Sequence, residues 1–241
     1  MRPRVAFISQ LGNPGSYDPD IFCRVQGGDD EVLAFEALLK SLRLLDRIEY
    51  FGIHAHRGES LAGINDRADA VILGGSFASV RDMFSWQLTL LAWLEEWRNI
   101  GRPLFGICGG HQLMSLALGG SVGSSPQGPT VGSLPLELTD AGRQHYLFRG
   151  FTEDSRFLFA NSDRVETIPG ATVLATRPGL PAAAIDHEGD WVSVQFHPEM
   201  TCDRMASCWL TLDPSRAQEY SFVVGAERMI KNFLEGAGVV P

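Results

Sequence analysis

The stretch Phe105–Gln112, FGICGGHQ, places one cysteine between glycines directly after an apolar run. Gly106, Cys108 and Gly110 occupy alternate positions, which is the small-x-nucleophile-x-small pattern of a sharp turn from a strand into a helix. Glycines suit such a turn because the backbone at its centre is strained and the helix passes close to the strand. The stretch alone is also compatible with an inert interpretation, in which Cys108 is a small buried residue in a tight turn.

The segments before this turn alternate between apolar runs and helix-period patterns. The apolar runs predict strands at Arg4–Ser9, Ile48–Ile53, Ala70–Leu73 and Pro103–Ile107. Apolar residues at three- and four-residue intervals predict helices at Glu31–Asp46, at Phe84–Arg98 and from near Gly110 through Leu118. Alternating strands and helices are typical of βαβ units, so the predicted fold class is α/β, an open, mostly parallel central sheet flanked by helices.

The pattern changes after Leu118, where a Gly/Ser/Pro-rich loop, GGSVGSSPQGP, begins. Short apolar runs beyond it predict additional mixed or antiparallel strands at Leu134–Leu138, Arg156–Ala160, Thr172–Thr176, Ala182–Asp186 and Trp191–Phe196. A closing helix is predicted over Ser221–Leu234, with a packed face of Phe222, Met229, Ile230 and Phe233. The loop is too short for an interdomain linker, so residues 1–241 are expected to form a single domain.

Composition excludes several classes of function. The 241 residues carry a formal net charge of -9 without a Lys/Arg-rich run to offset it locally, which argues against binding to nucleic-acid phosphates. No run approaches the roughly 20 apolar residues of a membrane span, and Val5–Ile8 is too short for the core of a signal peptide. We therefore expect a cytoplasmic protein. The four cysteines lack paired metal-ligand spacing and are expected as free thiols, and no metal, nucleotide or flavin cofactor is expected.

A reactive cysteine needs a base. The thiolate is its nucleophilic form, which a helix N-terminus and a nearby imidazole both stabilise. Of the six histidines, His111 lies within the predicted elbow helix, where we expect packing or hydrogen bonding. His197 follows the apolar strand WVSVQF in the sequence FHPEM. Residues two apart in an extended segment share a face, so Glu199 can accept a hydrogen bond from one ring nitrogen and leave the other for Cys108.

Three ordered motifs, FGICGGHQ, QFHPEM and the glycine-rich Val71–Val80 (VILGGSFASV), together resemble the class I, or triad, glutamine amidotransferases. The resemblance is strongest to the amidotransferase domain of GMP synthase-like proteins, whose SHGDRV segment would fall at Asp163-Arg164-Val165. It covers roughly Val71 to Glu199. It implies the flavodoxin-like fold of that family and a glutamine-hydrolysing activity.

The resemblance also implies roles for individual residues. Cys108 would attack the γ-carboxamide carbon and form a thioester, His197 would act as acid and base, and Glu199 would orient the imidazole. The backbone N–H groups of Gly75 and Gly109 would stabilise the oxyanion. No metal takes part in this scheme.

Substrate contacts are also implied, although this sequence departs from the family there. Gln112 and Asp163 resemble positions that hold the α-amino and α-carboxylate ends of the substrate, and Asp163 could pair with the ammonium. Asn161 and Ser162 replace the histidine and glycine of the family's Ser-His-Gly-Asp. That segment borders the glutamine pocket of the family. The resemblance therefore supports the thiol chemistry more strongly than it supports free glutamine as the substrate. Ser76 replaces a usual proline but keeps the backbone donors.

Two segments are longer than the pattern requires. Gly12–Asp30 is a long first strand-to-helix connection, interpreted as a solvated loop or a substrate or partner contact. Met200–Tyr220 resembles an insertion before the last helix and could be a lid, a docking surface or merely a loop.

Three functions are consistent with these observations. The first is a glutaminase that releases ammonia for a synthetase; no nucleotide-binding motif is apparent, so that partner is expected to be a separate polypeptide. The second is a free-standing γ-glutamyl amide or peptide hydrolase, which the altered Asn161-Ser162 wall favours. The third, a non-enzymatic binding module, is disfavoured by the intact Cys108, His197 and Glu199.

Overall fold

A computed structural model describes residues 1–13, 15–210 and 213–241. Its strands are β1 Arg4–Ser9, β2 Glu49–His54, β3 Ala70–Leu73, β4 Leu104–Ile107, β5 Ser121–Ser124, β6 Thr130–Pro135, β7 Glu137–Leu138, β8 Arg156–Asn161, β9 Asp163–Thr167, β10 Thr172–Arg177, β11 Leu180–Asp186 and β12 Trp191–Val194. Its α-helices are α1 Glu31–Ser41, α2 Ile64–Arg67, α3 Ser85–Ile100, α4 Gly109–Ala117, α5 Asp140–Gln144, α6 Cys202–Trp209, α7 Pro214–Ala217 and α8 Arg228–Gly236.

The central sheet has eight strands in the order β2-β1-β3-β4-β12-β11-β10-β7. Pairing is parallel from β2 to β12 and antiparallel from β12 to β7. The predicted α/β class, with a mostly parallel sheet and antiparallel strands contributed by the second half, is confirmed. Two antiparallel ribbons, β5–β9 and β6–β8, lie beside the sheet. The sequence analysis missed β5, which lies inside the Gly/Ser/Pro-rich loop, and β9, and it predicted one strand at Leu134–Leu138 where β6 and β7 are separate.

Alternation along β1 shows why the chain forms three layers. Val5 and Phe7 belong to one hydrophobic cluster, whereas Ala6 and Ile8 belong to another. Successive side chains of a strand point to opposite faces, so each face of the sheet has its own core. Helices α1 and α8 pack on the Phe7 face, and α3 and α4 pack on the Ile8 face. Trp86, Trp93 and Trp97 of α3 belong to the core on the Ile8 face.

Two predicted helices are shorter in the structure, for backbone reasons. The predicted Glu31–Asp46 helix ends at Ser41, because Arg43 takes a left-handed φ of 55° that α-helix geometry excludes. The prediction that Ser221–Leu234 is helical is wrong at its start. Gly225 has a φ of +76°, α8 begins at Arg228, and Phe222 is 79% exposed. Met229, Ile230 and Phe233 are buried as predicted.

The two long segments pack against each other. Gly12–Asp30 contains a 3₁₀-helix at Pro19–Phe22, and Met200–Tyr220 contains α6 and α7. Arg204 of α6 donates a hydrogen bond from Nη1 to the carbonyl of Gln26 at 3.1 Å, and its guanidinium lies 4.8 Å from the centre of the Phe22 ring. The interpretation of Gly12–Asp30 as a solvated loop therefore does not hold for Phe22, which is buried. Pro14, Thr211 and Leu212, which belong to these segments, lie outside the described residues.

No helix in the described ranges is both long enough and apolar enough to cross a membrane.

Candidate active site

Cys108 lies at the sharp turn between β4 and α4. Its backbone has φ 50° and ψ -102°, a conformation that is strained for a residue with a Cβ atom. The turn is held by hydrogen bonds from Cys108 N to Val194 O at 2.8 Å and from Gly110 N to Gly74 O at 3.0 Å. A Cβ atom at Gly110 would collide with the carbonyl of Leu73. The packing thus gives the steric reason for the glycine that the sequence analysis proposed.

His197 and Glu199 follow β12, which is the parallel neighbour of β4. Because the carboxyl ends of parallel strands lie at the same edge of a sheet, His197 and Cys108 reach one cavity. His197 Nδ1 and Glu199 Oε1 are 2.7 Å apart, and both side chains are buried. Burial lowers the pKa of His197, but the charges of Glu199 and Cys108 outweigh it and raise this pKa well above 6.5. The site therefore favours an imidazolium.

Gly75 lies against both of these side chains. A Cβ atom at Gly75 would stand 2.7 Å from His197 Cε1 and 3.5 Å from Cys108 Cβ, so a larger residue would displace the imidazole. Within the described ranges, the backbone N–H groups of Gly75 and Gly109 have no hydrogen-bond acceptor in the protein. Two unused donors thus lie next to the thiol, as an oxyanion site requires.

Gln195 is a site residue that the sequence analysis missed. It is fully buried, and its Nε2 lies 3.5 Å from Cys108 Sγ as a hydrogen-bond donor. Gln112 in turn donates from Nε2 to Gln195 Oε1 at 3.0 Å and to the backbone carbonyl of Asp163 at 3.1 Å. Gln112 was predicted to hold the substrate. In the structure its amide nitrogen instead donates to Gln195, the residue whose own amide lies next to the thiol. The alternation of β12, continued past Val194, could have identified Gln195, since it stands two residues before His197.

Asp163 lies in the cavity lining, but its carboxylate is already paired. Arg81 donates from Nη2 to Oδ1 at 3.0 Å and from Nε to Oδ2 at 3.3 Å. Ser79 also donates to Oδ2, and Ser124 lies 3.4 Å from Oδ1. Asp163 was predicted to pair with a substrate ammonium. In this structure both of its carboxylate oxygens already accept hydrogen bonds from protein groups. The sequence analysis missed Arg81, which is half-exposed and pairs with Asp163 from outside the cavity lining.

Asn161 and Ser162 line the cavity, and their contact with a substrate stays a prediction. Asn161 donates from Nδ2 to the carbonyl of Asp163 at 3.0 Å, which closes the turn between β8 and β9. Its Oδ1 is buried and finds no hydrogen-bond partner among the residues the structure describes. A ligand donor would satisfy this oxygen.

The cavity that holds Cys108 and His197 encloses about 960 Å³ of space that is continuous with solvent. Part of its lining, here called the polar wall, consists of Ser79, Gln112, Asn161, Ser162 and Asp163. Another part, here called the apolar wall, consists of Leu11, Phe22, Met200, Met205, Cys208 and Trp209. Three of the apolar-wall residues, Leu11, Phe22 and Cys208, form a separate small hydrophobic cluster.

Glu31 is a carboxylate in this cavity that the sequence analysis did not identify. It is only 3% exposed, lines the cavity and accepts a 2.6 Å hydrogen bond from Ser9 Oγ. Burial raises the pKa of Glu31 to about 7, against the opposing effects of Ser9 and Arg204. His197 lines the same cavity, and its charge opposes the rise in the pKa of Glu31, whereas the charge of Glu199 adds to it.

His111 does not face the cavity. Its Nδ1 and the Nε2 of His187 each lie 2.8 Å from Ser193 Oγ in a buried cluster beneath the elbow helix. Burial lowers the pKa of His111 to about 3, so it is neutral at physiological pH. The expectation of packing or hydrogen bonding at His111 is confirmed. Within residues 1–13, 15–210 and 213–241, no group of histidine, cysteine and acidic side chains could hold a metal ion.

The chain is similar to known glutamine amidotransferases in sequence and in fold. The family model of glutamine amidotransferase class-I matches residues 34–212. The GMP synthase (glutamine-hydrolysing) of Aeropyrum pernix is 41% identical over 103 residues, which is 42% of this chain and 19% of that protein. The same enzyme from Lactococcus lactis subsp. cremoris is 38% identical over 132 residues, 54% of this chain and 24% of that one. The chain thus spans about a fifth to a quarter of the length of these curated relatives.

A solved structure shows the same fold at low identity. The crystal structure of a glutamine amidotransferase from Thermotoga maritima superposes with a TM-score of 0.73 at 18% identity and covers 98% of both chains. The predicted flavodoxin-like fold and the resemblance to GMP synthase-like proteins are confirmed. The family model covers well over half of the residues, so this chain belongs to the glutamine amidotransferase class-I family.

Proposed function

We propose that the protein hydrolyses the γ-carboxamide of glutamine at Cys108 and releases ammonia. One observation carries the proposal: a strained cysteine, a carboxylate-bound imidazole and two unused backbone donors meet at one cavity. Each element alone has a structural explanation, but together they supply a nucleophile, an acid–base group and an oxyanion site. The GMP synthases that match part of this chain are themselves named as glutamine-hydrolysing.

In the first half-reaction, Cys108 Sγ attacks the γ-carbon of the substrate. The N–H groups of Gly75 and Gly109 hold the oxyanion, a role in which losing one donor costs on the order of 100-fold in rate. The Nδ1 of His197 is held by Glu199, so Nε2 is the nitrogen that protonates the departing amine. The C–N bond then breaks and leaves a glutamyl thioester.

In the second half-reaction, His197 Nε2 takes a proton from water. The resulting hydroxide attacks the thioester carbon, the S–C bond breaks and glutamate leaves. The thiolate reforms beside an imidazolium, which is the state that the raised pKa of His197 favours. Gln195 donates a hydrogen bond toward Sγ and thereby also supports the thiolate.

The ammonia would be used by a synthetase on another polypeptide. The curated relatives are glutamine-hydrolysing GMP synthases several times longer than the matched segment, which supports a synthetase as the consumer of ammonia. A cytoplasmic location is consistent with this role and stays a prediction.

A second candidate function is hydrolysis of another γ-glutamyl amide for its own sake. The change from the family's His-Gly to Asn161-Ser162 favours it, because these two residues line the cavity. The apolar wall favours it as well, since ammonia has no apolar surface to contact there.

The two functions are separated by a substrate screen of the wild type and Cys108→Ala. Release of ammonia from glutamine by the wild type alone would support the first function, and strong stimulation by a co-purifying synthetase would select it. Far faster turnover of a γ-glutamyl amine or peptide would select the second. Undiminished activity of Cys108→Ala would overturn both.

A further inference from the structure

The apolar wall is built mainly by the two long segments, although Leu11 precedes the first of them and Met200 also ends the QFHPEM motif. Phe22 comes from Gly12–Asp30, whereas Met205, Cys208 and Trp209 come from α6. The buried Arg204 ties the segments together through the carbonyl of Gln26 and the face of Phe22. Phe22 and Met205 are 1% and 2% exposed, so this wall is preformed.

Met200 relates the apolar wall to the reaction centre. It directly follows Glu199, whose carboxylate lies 2.7 Å from His197 Nδ1, and it lines the cavity together with His197 and Glu31. The apolar wall therefore adjoins the imidazole side of the site. The polar wall is instead connected to the thiol through Gln112 and Gln195. The two walls thus border different parts of the site.

The two arms of an amide substrate must lie on different sides of its carbonyl carbon. The leaving nitrogen has to lie at His197, because the imidazole protonates it. The glutamyl arm, with its charged α-substituents, suits the polar wall. A substituent on the leaving nitrogen would then extend past His197, toward Glu31 and the apolar wall.

We propose that the apolar wall is a subsite for an apolar group on the γ-amide nitrogen, so that the protein accepts γ-glutamyl amides of alkyl or aryl-alkyl amines. The inference rests on the proposed thioester chemistry at Cys108. Contact with Phe22 and Met205 removes the apolar substituent from water and so stabilises its binding. The unsubstituted amide of glutamine has no group that could make this contact.

The reaction has the same balance as glutamine hydrolysis. The S–C bond to Cys108 forms, the C–N bond breaks and its electron pair goes to nitrogen, which takes the proton from His197. Water then cleaves the thioester. The products are glutamate and a primary amine, and no co-reactant other than water is consumed.

The test compares γ-glutamyl-benzylamide with γ-glutamyl-methylamide and glutamine. For the wild type, kcat/KM for the benzylamide should exceed that for the methylamide by roughly 10- to 100-fold, the range expected for an apolar group in a fitted pocket. Met205→Gln should reduce this ratio by about 10-fold, because the side-chain amide that it introduces must lose its water when the benzyl group binds. Met205→Leu keeps the apolar character and volume and should retain the ratio.

Leu210→Ala is the matched control, since Leu210 follows α6, is 55% exposed and lies outside the cavity lining. It should leave the ratio unchanged. Equal kcat/KM for the benzylamide and methylamide in a wild type that hydrolyses glutamine would overturn the subsite and leave the proposed function standing. An unchanged ratio in Met205→Gln would also overturn it. If no substrate shows turnover that Cys108→Ala abolishes, the proposed function itself fails.

Discussion

The polar wall and the apolar wall border the same cavity but have different origins. The polar wall comes from segments that the family motifs include or adjoin: the loop after β3, helix α4 and the turn between β8 and β9. The apolar wall comes mainly from the long segments Gly12–Asp30 and Met200–Tyr220. In our proposal the motifs supply the chemistry at Cys108, while the long segments determine which amine can leave.

The largest expected effect is on hydrolysis at Cys108, which lies in the cavity that both walls line. Cys108→Ala removes the nucleophile and should lower kcat on any substrate by on the order of 10⁴-fold or more. Cys23→Ala is the control, since Cys23 is an exposed thiol outside the cavity lining. Steady-state kinetics of both variants measure the effect. Equal losses in the two variants would argue against a special role for Cys108.

The next effect concerns the ion pair of His197 and Glu199. Glu199→Gln removes the charge that raises the pKa of His197, so kcat/KM should fall by about 100-fold. An active thiolate–imidazolium pair loses activity when the imidazolium deprotonates, so the alkaline limb of the pH–rate profile should move to lower pH. A profile whose alkaline limb stays in place would show that Glu199 does not set this pKa.

Glu31, on the side of the apolar wall, should affect stability more than rate. Its native pKa of about 7 exceeds the usual 4.5, so the stabilisation is fully present below pH 4.5 and is lost as the pH rises through 7. The corresponding loss is roughly 2–4 kcal/mol of unfolding free energy. Glu31→Gln should remove most of this dependence and should exceed the wild type in stability at pH 8.

Denaturant unfolding at pH 5 to 8 measures this effect. Glu36→Gln is the matched control, because Glu36 lies on the same helix and is exposed. A wild-type stability that stays constant or rises between pH 5 and 7, while the Glu31→Gln curve is identical, would contradict the burial argument.

The smallest effect concerns the polar wall. Arg81→Ala frees both oxygens of Asp163 that Arg81 now occupies, so the carboxylate becomes available to an ammonium group. The ratio of kcat/KM for glutamine to that for Nα-acetylglutamine should therefore rise by about 10-fold. Arg143→Ala, which removes an exposed arginine at a distant ion pair, should leave the ratio unchanged. An unchanged ratio in Arg81→Ala would mean that Asp163 does not face the α-nitrogen.

Much of the fold and the reactive centre could be predicted from the sequence. Strand alternation and the glycine spacing around Cys108 are local signals, and they depend on sterics that a short window contains. The pairing of His197 with Glu199 followed from the period of two in an extended segment, and the structure places these two side chains 2.7 Å apart. Helix edges near positive-φ residues, such as Arg43 and Gly225, were misplaced, and strands β5 and β9 of the second half were missed.

The surroundings of the reactive centre were harder to predict, because they depend on contacts between distant segments. Arg81 and Asp163 are 82 positions apart, and Arg204 and Gln26 are 178 apart. Neither pair has a periodic pattern, and each forms only after the sheet has placed its elements. The burial that raises the pKa of Glu31 is likewise tertiary, since Glu31 looks like an ordinary first-turn acid in the sequence.

The central claim is that Cys108 carries the glutamyl group during turnover. Rapid acid quenching of the protein with glutamine, and in parallel with γ-glutamyl-benzylamide, followed by peptide mass spectrometry, tests it directly. We predict a glutamyl thioester on the peptide that contains Cys108, with the same acyl mass from both substrates and none in Cys108→Ala. An adduct on another cysteine, or turnover by the wild type with an unmodified Cys108 at every quench time, would contradict the account.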